Sequence, residues 1–243
     1  MDRNVKDLKL FTVFTGVFVA VLVLVPSTSS KFIAVGPFNV PGGSLIFPIT
    51  FILNDVLTEV YGYSLSRRII WTGMACQIFA AFTYWIVEIW PPAPMWHHQA
   101  AYTDILGVAP RISFASLTAY FCGEFANSVV VSKMKFAQKG ARGLAQGWRF
   151  VASTIVGEGV DSVLFMTLGF LGNFAAGDVV KTTLTLWIAK VLYEVIALPF
   201  SVRFANWVKK VEGIDKIDYP DRVNYNPFAA FFRGEKDAHE SQA

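Results

Sequence analysis

The sequence predicts an all-α polytopic membrane protein with six transmembrane helices and both termini cytoplasmic. Three observations carry this expectation. The 243 residues are 54% hydrophobic and 15% aromatic with a mean hydropathy of +0.46, too apolar for a water-soluble domain of this size. The apolar runs reach about 20 residues, the length a helix needs to cross roughly 30 Å of hydrocarbon, and none shows the sustained alternation of a transmembrane barrel. The basic residues are also divided unevenly between alternate loops.

In chain order, the spans are expected near 9–29, 44–63, 68–90, 111–133, 149–172 and 180–207. The first follows Arg3, Lys6 and Lys9 and superficially resembles a secretory leader. It is expected to be retained, because Pro26-Ser27-Thr28-Ser29-Ser30 lacks a small-x-small cleavage site and Lys31 follows at once. Between the first two spans, residues 32–43 are rich in turn formers and too short to cross, which predicts an extracytoplasmic hairpin or a re-entrant segment. With the N-terminus inside, the inner segments hold 17 of the 21 Lys and Arg and the outer ones only Lys31, Arg111 and Lys181, with Lys190 inside a span. The same asymmetry makes the basic run from Lys133 to Arg149 a topological signal between two apolar spans, so no nucleic-acid partner is implied. Residues 1–208 are read as one transmembrane domain and 209–243 as a short, partly disordered cytoplasmic tail of mixed charge.

Polar residues inside the spans carry the chemistry. A carboxyl group at the centre of a span costs roughly 2.5–3.5 kcal/mol on the lenient insertion scale, so several of them point to a buried polar site. The second span places Asp55 and Glu59 four residues apart, as it does Asn54 and Thr58, so one helical stripe is polar. Pro48, early in that span, frees a backbone carbonyl, which fits either a cavity-lining broken helix or a plain kink. A phrase repeats in spans four and five: Gly123-Glu124-Phe125-Ala126-Asn127-Ser128-Val129 and, 34 residues later, Gly157-Glu158-Gly159-Val160-Asp161-Ser162-Val163. Each copy sets an acid and an amide or second acid three apart on one helix face. The glycines and serines also suit close helix packing, but packing does not explain the acids beside them. Span six adds Lys190 and Glu194, four apart, which could neutralise one another, face a ligand or balance the charge of the other acids. With six deep acids against one deep lysine, full ionisation is untenable in a dry interior; protonation, hydration or a donor-rich ligand is required.

Other features point away from cofactor or catalytic chemistry. Cys76 and Cys122 lie within spans and read as small core hydrophobes. Glu88 sits between Trp85 and Trp90 near the outer end of span three, an interfacial position. His97 and His98 have no third ligand in sequence, so no metal is expected, and no cofactor. Arg67 and Arg68 are inside-positive anchors or an arginine pair at the cytoplasmic mouth, where they would act in gating. No Walker loop, nucleophile elbow or metalloprotease motif occurs.

At this point the residues carry a resemblance. The string from Phe47 to Tyr63, Phe-Pro-Ile-Thr-Phe-Ile-Leu-Asn-Asp-Val-Leu-Thr-Glu-Val-Tyr-Gly-Tyr, followed by Arg67-Arg68-Ile69-Ile70-Trp71, resembles the signature of the queuosine precursor transporter family, also called vitamin-uptake-type transporters. Pro110 to Ser116, the Gly123 to Ser128 phrase and Gly157 to Phe165 are similar to the family's later motifs, so the likeness runs from about Leu45 to Phe200. It implies an inner-membrane, multi-pass importer of 7-cyano-7-deazaguanine and 7-aminomethyl-7-deazaguanine, salvaged for queuosine in transfer RNA. A deazaguanine presents adjacent N–H donors that a carboxylate accepts as a pair, and a flat π-face that stacks on aromatic rings.

Spans two, four, five and six are therefore expected to form a substrate site from Asn54, Asp55, Glu59, Glu124, Asn127, Glu158, Asp161, Lys190 and Glu194. The expected partners are this small molecule, the lipid bilayer and, as an open alternative, a second copy of the chain. Transport without an ATP site is facilitated or ion-coupled. The rival readings are a substrate-binding subunit for another nucleobase or vitamin, driven by a separate ATP-using module, and a membrane enzyme that uses paired carboxylates.

Overall fold

A computed structural model of the chain describes residues 8–35, 38–107, 110–170, 172 and 175–230. Among the described residues seven α-helices follow one another: α1 (Phe11–Ser29), α2 (Pro48–Tyr61), α3 (Tyr63–Ile89), α4 (Gln99–Leu106), α5 (Pro110–Ala137), α6 (Leu144–Phe170) and α7 (Ala176–Glu212). Five of them, all but α2 and α4, are long and apolar enough to cross a membrane by length and composition. The protein is thus a multi-pass helical membrane protein. The expected second span is shorter than foreseen. α2 has 14 residues, about 21 Å of helix, and every residue from Thr50 to Tyr61 is buried. It is an inner element enclosed by α1, α3, α5 and α7 rather than a lipid-facing one.

The chain enters α2 through the predicted hairpin, whose strands β1 (Phe32–Val35) and β2 (Phe38–Pro41) pair antiparallel with Phe32 opposite Pro41. Gly42 and Gly43 then press the returning chain against the end of α1. A Cβ on Gly43 would lie 2.6 Å from the Val25 carbonyl, so only glycine fits. Pro48 occupies the first turn of α2, where its missing N–H costs nothing. Gly62, at φ +83°, is the single residue between α2 and α3 and turns the chain back on itself. Arg67 and Arg68 consequently belong to the second turn of α3 instead of a loop.

α5 and α6 form the most extensive helix pair, and the repeated phrase is where they cross. A Cβ on Gly123 would meet the Gly157 carbonyl at 2.9 Å and the Asp161 Cβ at 2.9 Å; one on Gly157 would meet the Gly123 carbonyl at 2.9 Å and the Asn127 Cβ at 2.8 Å. The contacts are reciprocal, so the two phrases meet as a pseudo-twofold pair, with small residues letting the backbones touch.

The boundary expected at 208 falls inside α7, which runs on to Glu212 and ends at Gly213 in the left-handed region. Beyond it, residues 214–230 fold back as a strap across the α2–α3 turn. Asp218 accepts the Tyr63 N–H (2.8 Å) and the Ser132 hydroxyl (2.6 Å), and the Tyr225 carbonyl accepts the Tyr63 hydroxyl (2.9 Å). The Trp71 indole N–H reaches the Pro227 carbonyl at 2.8 Å. Residues 231–243, the rest of the expected tail, lie outside the described residues, as do Arg3 and Lys6.

Candidate functional site

Four helices converge on a polar cluster in the middle of the bundle. α2 brings Asn54 and Asp55, α5 brings Glu124 and Asn127, α6 brings Ser153, Glu158 and Asp161, and α7 brings Lys190 and Glu194. Asn54 donates to Glu124 Oε2 at 2.5 Å and accepts from the Ser128 hydroxyl at 3.1 Å. Asp55 Oδ1 accepts from Asn127 (2.7 Å) and from Ser153 (3.1 Å). Lys190 stands 2.6 Å from both Glu158 Oε2 and Asp161 Oδ2, with its ammonium 4.8 Å from the centre of the Phe47 ring. Thus the spans expected to build a site do meet, and eight of the nine residues expected there share one neighbourhood.

The cluster is short of donors. Among the described residues, Asp55 Oδ2, Glu124 Oε1, Asn127 Oδ1 and Glu194 Oε1 are buried acceptors without a hydrogen-bond partner. Asp55, Glu124 and Asn127 are wholly buried, and Glu194 is 2% exposed. Leaving one buried polar group unsatisfied costs about 1–3 kcal/mol, more when it is charged, so four in one place make a cavity-like demand for donors. With all acids ionised, Asp55, Glu124, Glu158, Asp161 and Glu194 face a single ammonium. Such an arrangement favours a ligand that brings N–H groups, a positive charge or protons.

Of the roles open to Lys190, the structure shows a charge balance for other deep acids, Glu158 and Asp161, and not a pair within span six. Lys190 bonds across to α6, and Glu194, one turn along its own helix, is left with a free oxygen among the described residues. The reason is reach: two acids from the α6 phrase lie within 2.6 Å of the ammonium, and their combined charge outweighs one i,i+4 neighbour.

Glu59 is the ninth residue and lies elsewhere. Both its oxygens accept from Arg149, Nε to Oε2 at 2.7 Å and Nη2 to Oε1, while Lys209 reaches Oε1 at 2.5 Å. Lys135 donates to the Glu59 carbonyl and lies 2.6 Å from Asp215. Lys209 also pairs with Asp215, at 2.9 Å. Burial would raise the Asp215 carboxyl, yet hydrogen bonds and charge from Lys135 and Lys209 hold it at about 2. This knot ties α2, α5, α6, α7 and the strap together at one end of the bundle, and each of its ions has an oppositely charged partner, which Asp55, Glu124 and Glu194 in the central cluster lack among the described residues. Three residues expected as loop charges, Lys135, Arg149 and Lys209, are in fact buried in it. The arginine pair also divides. Arg67 is buried and donates to the Asn224 and Asn226 carbonyls of the strap, at 2.8 and 3.0 Å, whereas Arg68 is exposed.

Sequence reasoning missed Ser153 and Arg149, although both were findable. Arg149, Ser153, Gly157 and Asp161 recur every four residues on α6 and form one inward stripe. The partners of the strap carry no such periodicity, and nothing in their spacing announces them.

Two comparisons bear on this geometry. The model of a family described as putative vitamin uptake transporter matches residues 41–204. A probable queuosine precursor transporter from Bacillus subtilis (strain 168) is 27% identical over 160 residues, which cover 65% of this chain and 69% of that protein. No solved structure matches. The matched segment opens at the end of the hairpin and runs through α2 to most of α7, so it holds the whole central cluster, and the chain belongs to the putative vitamin uptake transporter family.

Proposed function

We propose that the protein imports the queuosine precursors 7-cyano-7-deazaguanine and 7-aminomethyl-7-deazaguanine across the inner membrane. The observation that supports this most is the set of four unpartnered acceptors, Asp55 Oδ2, Glu124 Oε1, Asn127 Oδ1 and Glu194 Oε1, in one buried neighbourhood. A 7-deazaguanine carries ring N–H groups and an exocyclic amine along its edges, and these donors complement the unpartnered acceptors of the cluster. The aminomethyl form adds a cation that suits the excess of acids, and Phe47, already under the Lys190 ammonium, offers a face for stacking.

In this reading α2, preceded by the turn at Gly42–Leu45, serves as the sixth span, both termini are cytoplasmic, and the transmembrane body ends with α7. The Glu59 knot and the strap held by Arg67 close the cytoplasmic end, so the cluster waits for ligand from outside. Arg68 remains an inside-positive anchor at that surface. Lys190 is a resident counterion for Glu158 and Asp161. Ligand donors and protons fill the same oxygens, so uptake is proton-linked and needs no ATP, and rocking of the α5–α6 pair against α2 and α7 delivers alternating access. Purified chain in proteoliposomes tests this: uptake of either labelled base, without any other protein and dependent on the imposed pH gradient, is expected. Uptake only after an ATP-driven module is added would establish the subunit reading instead, and recovery of a chemically altered base would establish an enzyme.

A further inference from the structure

Apart from the polar cluster, a cavity lies between α1, α3, α5 and α6, on the side that the proposed orientation turns outward. It measures about 200 Å³, and its wall includes Pro26, Gln77, Ala81, Trp85, Ser116 and Phe165. Most of the lining is apolar, as in a lipid-facing crevice. Ser29, Tyr84, Glu88 and Ser116 add polar groups, and Gln77 stands out among them: the residue is 8% exposed, and its Oε1 has no partner among the described residues. An acyl chain in the cavity would leave that carboxamide oxygen unsatisfied, whereas a planar heterocycle with an N–H edge would satisfy it and stack on Trp85 or Phe165.

The position of the cavity ties it to the acidic cluster. On α5, Ser116, Tyr120 and Glu124 follow one another at successive turns, so the cavity wall stands about 12 Å along the helix axis from the cluster, with Tyr120 between. On α6 the separation is shorter, since Phe165 is one turn, about 6 Å, from Asp161. Tyr120 is 4% exposed, and its hydroxyl also lacks a partner among the described residues. The hydroxyl rests against Gly73, 3.1 Å from where a Cβ would stand, and Gly73 is one turn from Gln77. An open lumen, an unsatisfied tyrosine and an acceptor-rich cluster therefore lie in sequence along the bundle.

We infer that this cavity is an outer subsite for the same class of ligand, a flat, N–H-bearing heterobicycle, which Gln77 holds before Tyr120 admits it to the acidic cluster. The inference rests on the proposed function. Its test uses the full chain with Cys76 and Cys122 replaced by Ala and Ala81→Cys introduced, reconstituted in liposomes. A membrane-impermeant maleimide reports access to the cavity, and 7-cyano-7-deazaguanine is the probe. Saturating probe is expected to slow labelling at least tenfold, both in this chain and in the same chain carrying Asp55→Asn. Adding Gln77→Leu is expected to raise the half-protecting concentration about tenfold, as loss of one buried hydrogen bond implies. Protection that disappears with Asp55→Asn would confine the base to the inner cluster and overturn the subsite. So would unprotected labelling in a chain that binds the base in equilibrium dialysis. Absence of binding in dialysis would overturn the deazaguanine reading and the subsite together.

Discussion

The Glu59 knot yields a quantitative expectation that separates structure from recognition. Glu59 is wholly buried and accepts from two nitrogens of Arg149 and one of Lys209, while Asp215 is the other acid among Lys135, Arg149 and Lys209. Removing Glu59 as Glu59→Gln leaves three buried cations with one carboxylate. Arg149 is then the worst placed, because its acceptors, the Gln138 side chain, the Ala141 carbonyl and the one amide oxygen left at position 59, are all neutral. Breaking a buried pair from one side costs about 3–5 kcal/mol, since the surviving charge stays desolvated. Arg149→Met should cost less, because Lys209 still answers Glu59 and the formal charges then cancel. The double variant restores the original net charge of the knot, so its loss should fall short of the sum of the singles by about 1.5–3 kcal/mol. Unfolding of the purified protein in mixed micelles, followed by tryptophan fluorescence, gives the cycle. Additive effects, or a Glu59→Gln protein with native stability that has lost binding of the base, would refute the structural role and return Glu59 to the substrate site.

Further expectations follow from individual contacts. Asp55 bonds Asn127 and Ser153 whereas Lys190 bonds Glu158 and Asp161, so uptake lost in Asp55→Asn should stay lost when Lys190→Met is added, and recovery in the double variant would show a direct ion pair. Gly157→Ala drives a Cβ to 2.8 Å from that of Asn127, which should destabilise the α5–α6 crossing by about 1–3 kcal/mol in the same unfolding assay; no change would mean the helices part freely. Asp215 has a folded-state value of about 2, below the ordinary carboxylate range, so its stabilisation is present above about pH 4 and fades as pH falls through 2. Asp215→Asn should therefore lower the melting temperature at pH 7, with the gap closing on acidification, and a gap independent of pH would contradict its pairing with Lys135 and Lys209. Maleimide should label Met95→Cys from outside intact cells and leave Leu144→Cys protected, and the reverse pattern would invert the proposed topology.

The apolar runs and the spacing of acids made much of this molecule legible in the sequence. Hydrophobic length located α1, α3, α5, α6 and α7, because crossing hydrocarbon imposes a length that composition records directly. The repeated phrase announced the α5–α6 contact, since glycine and serine beside a costly acid have few other uses in a span. α2 was read too long for a physical reason: its hydropathy continues backward through Leu45 and Ile46, but Gly42 and Gly43 bind the chain to α1 and delay the helix until Pro48. The role of Lys190 stayed open between its own-helix neighbour and the other acids because neighbours on one helix are visible in sequence whereas those on the facing helix are not. The strap was invisible for a related reason. Apart from the Asp218 carboxylate, its grip comes largely from backbone carbonyls at Asn224, Tyr225, Asn226 and Pro227, which any residue supplies.

The acceptor lining of the central cluster is tested most directly at Glu124. Its Oε2 accepts from Asn54 at 2.5 Å, while Oε1 faces the interior without a partner among the described residues. Glu124→Gln preserves shape and keeps an oxygen for Asn54, but turns the open acceptor into an N–H donor. Binding of 7-cyano-7-deazaguanine to purified protein, measured by isothermal titration calorimetry beside a melting curve, decides the matter. A ten- to hundredfold loss of affinity with stability within about 1 kcal/mol of wild type is predicted, the cost of about one charge-assisted hydrogen bond turned against the ligand. Unchanged affinity in Glu124→Gln would contradict the claim that these buried oxygens receive the ligand.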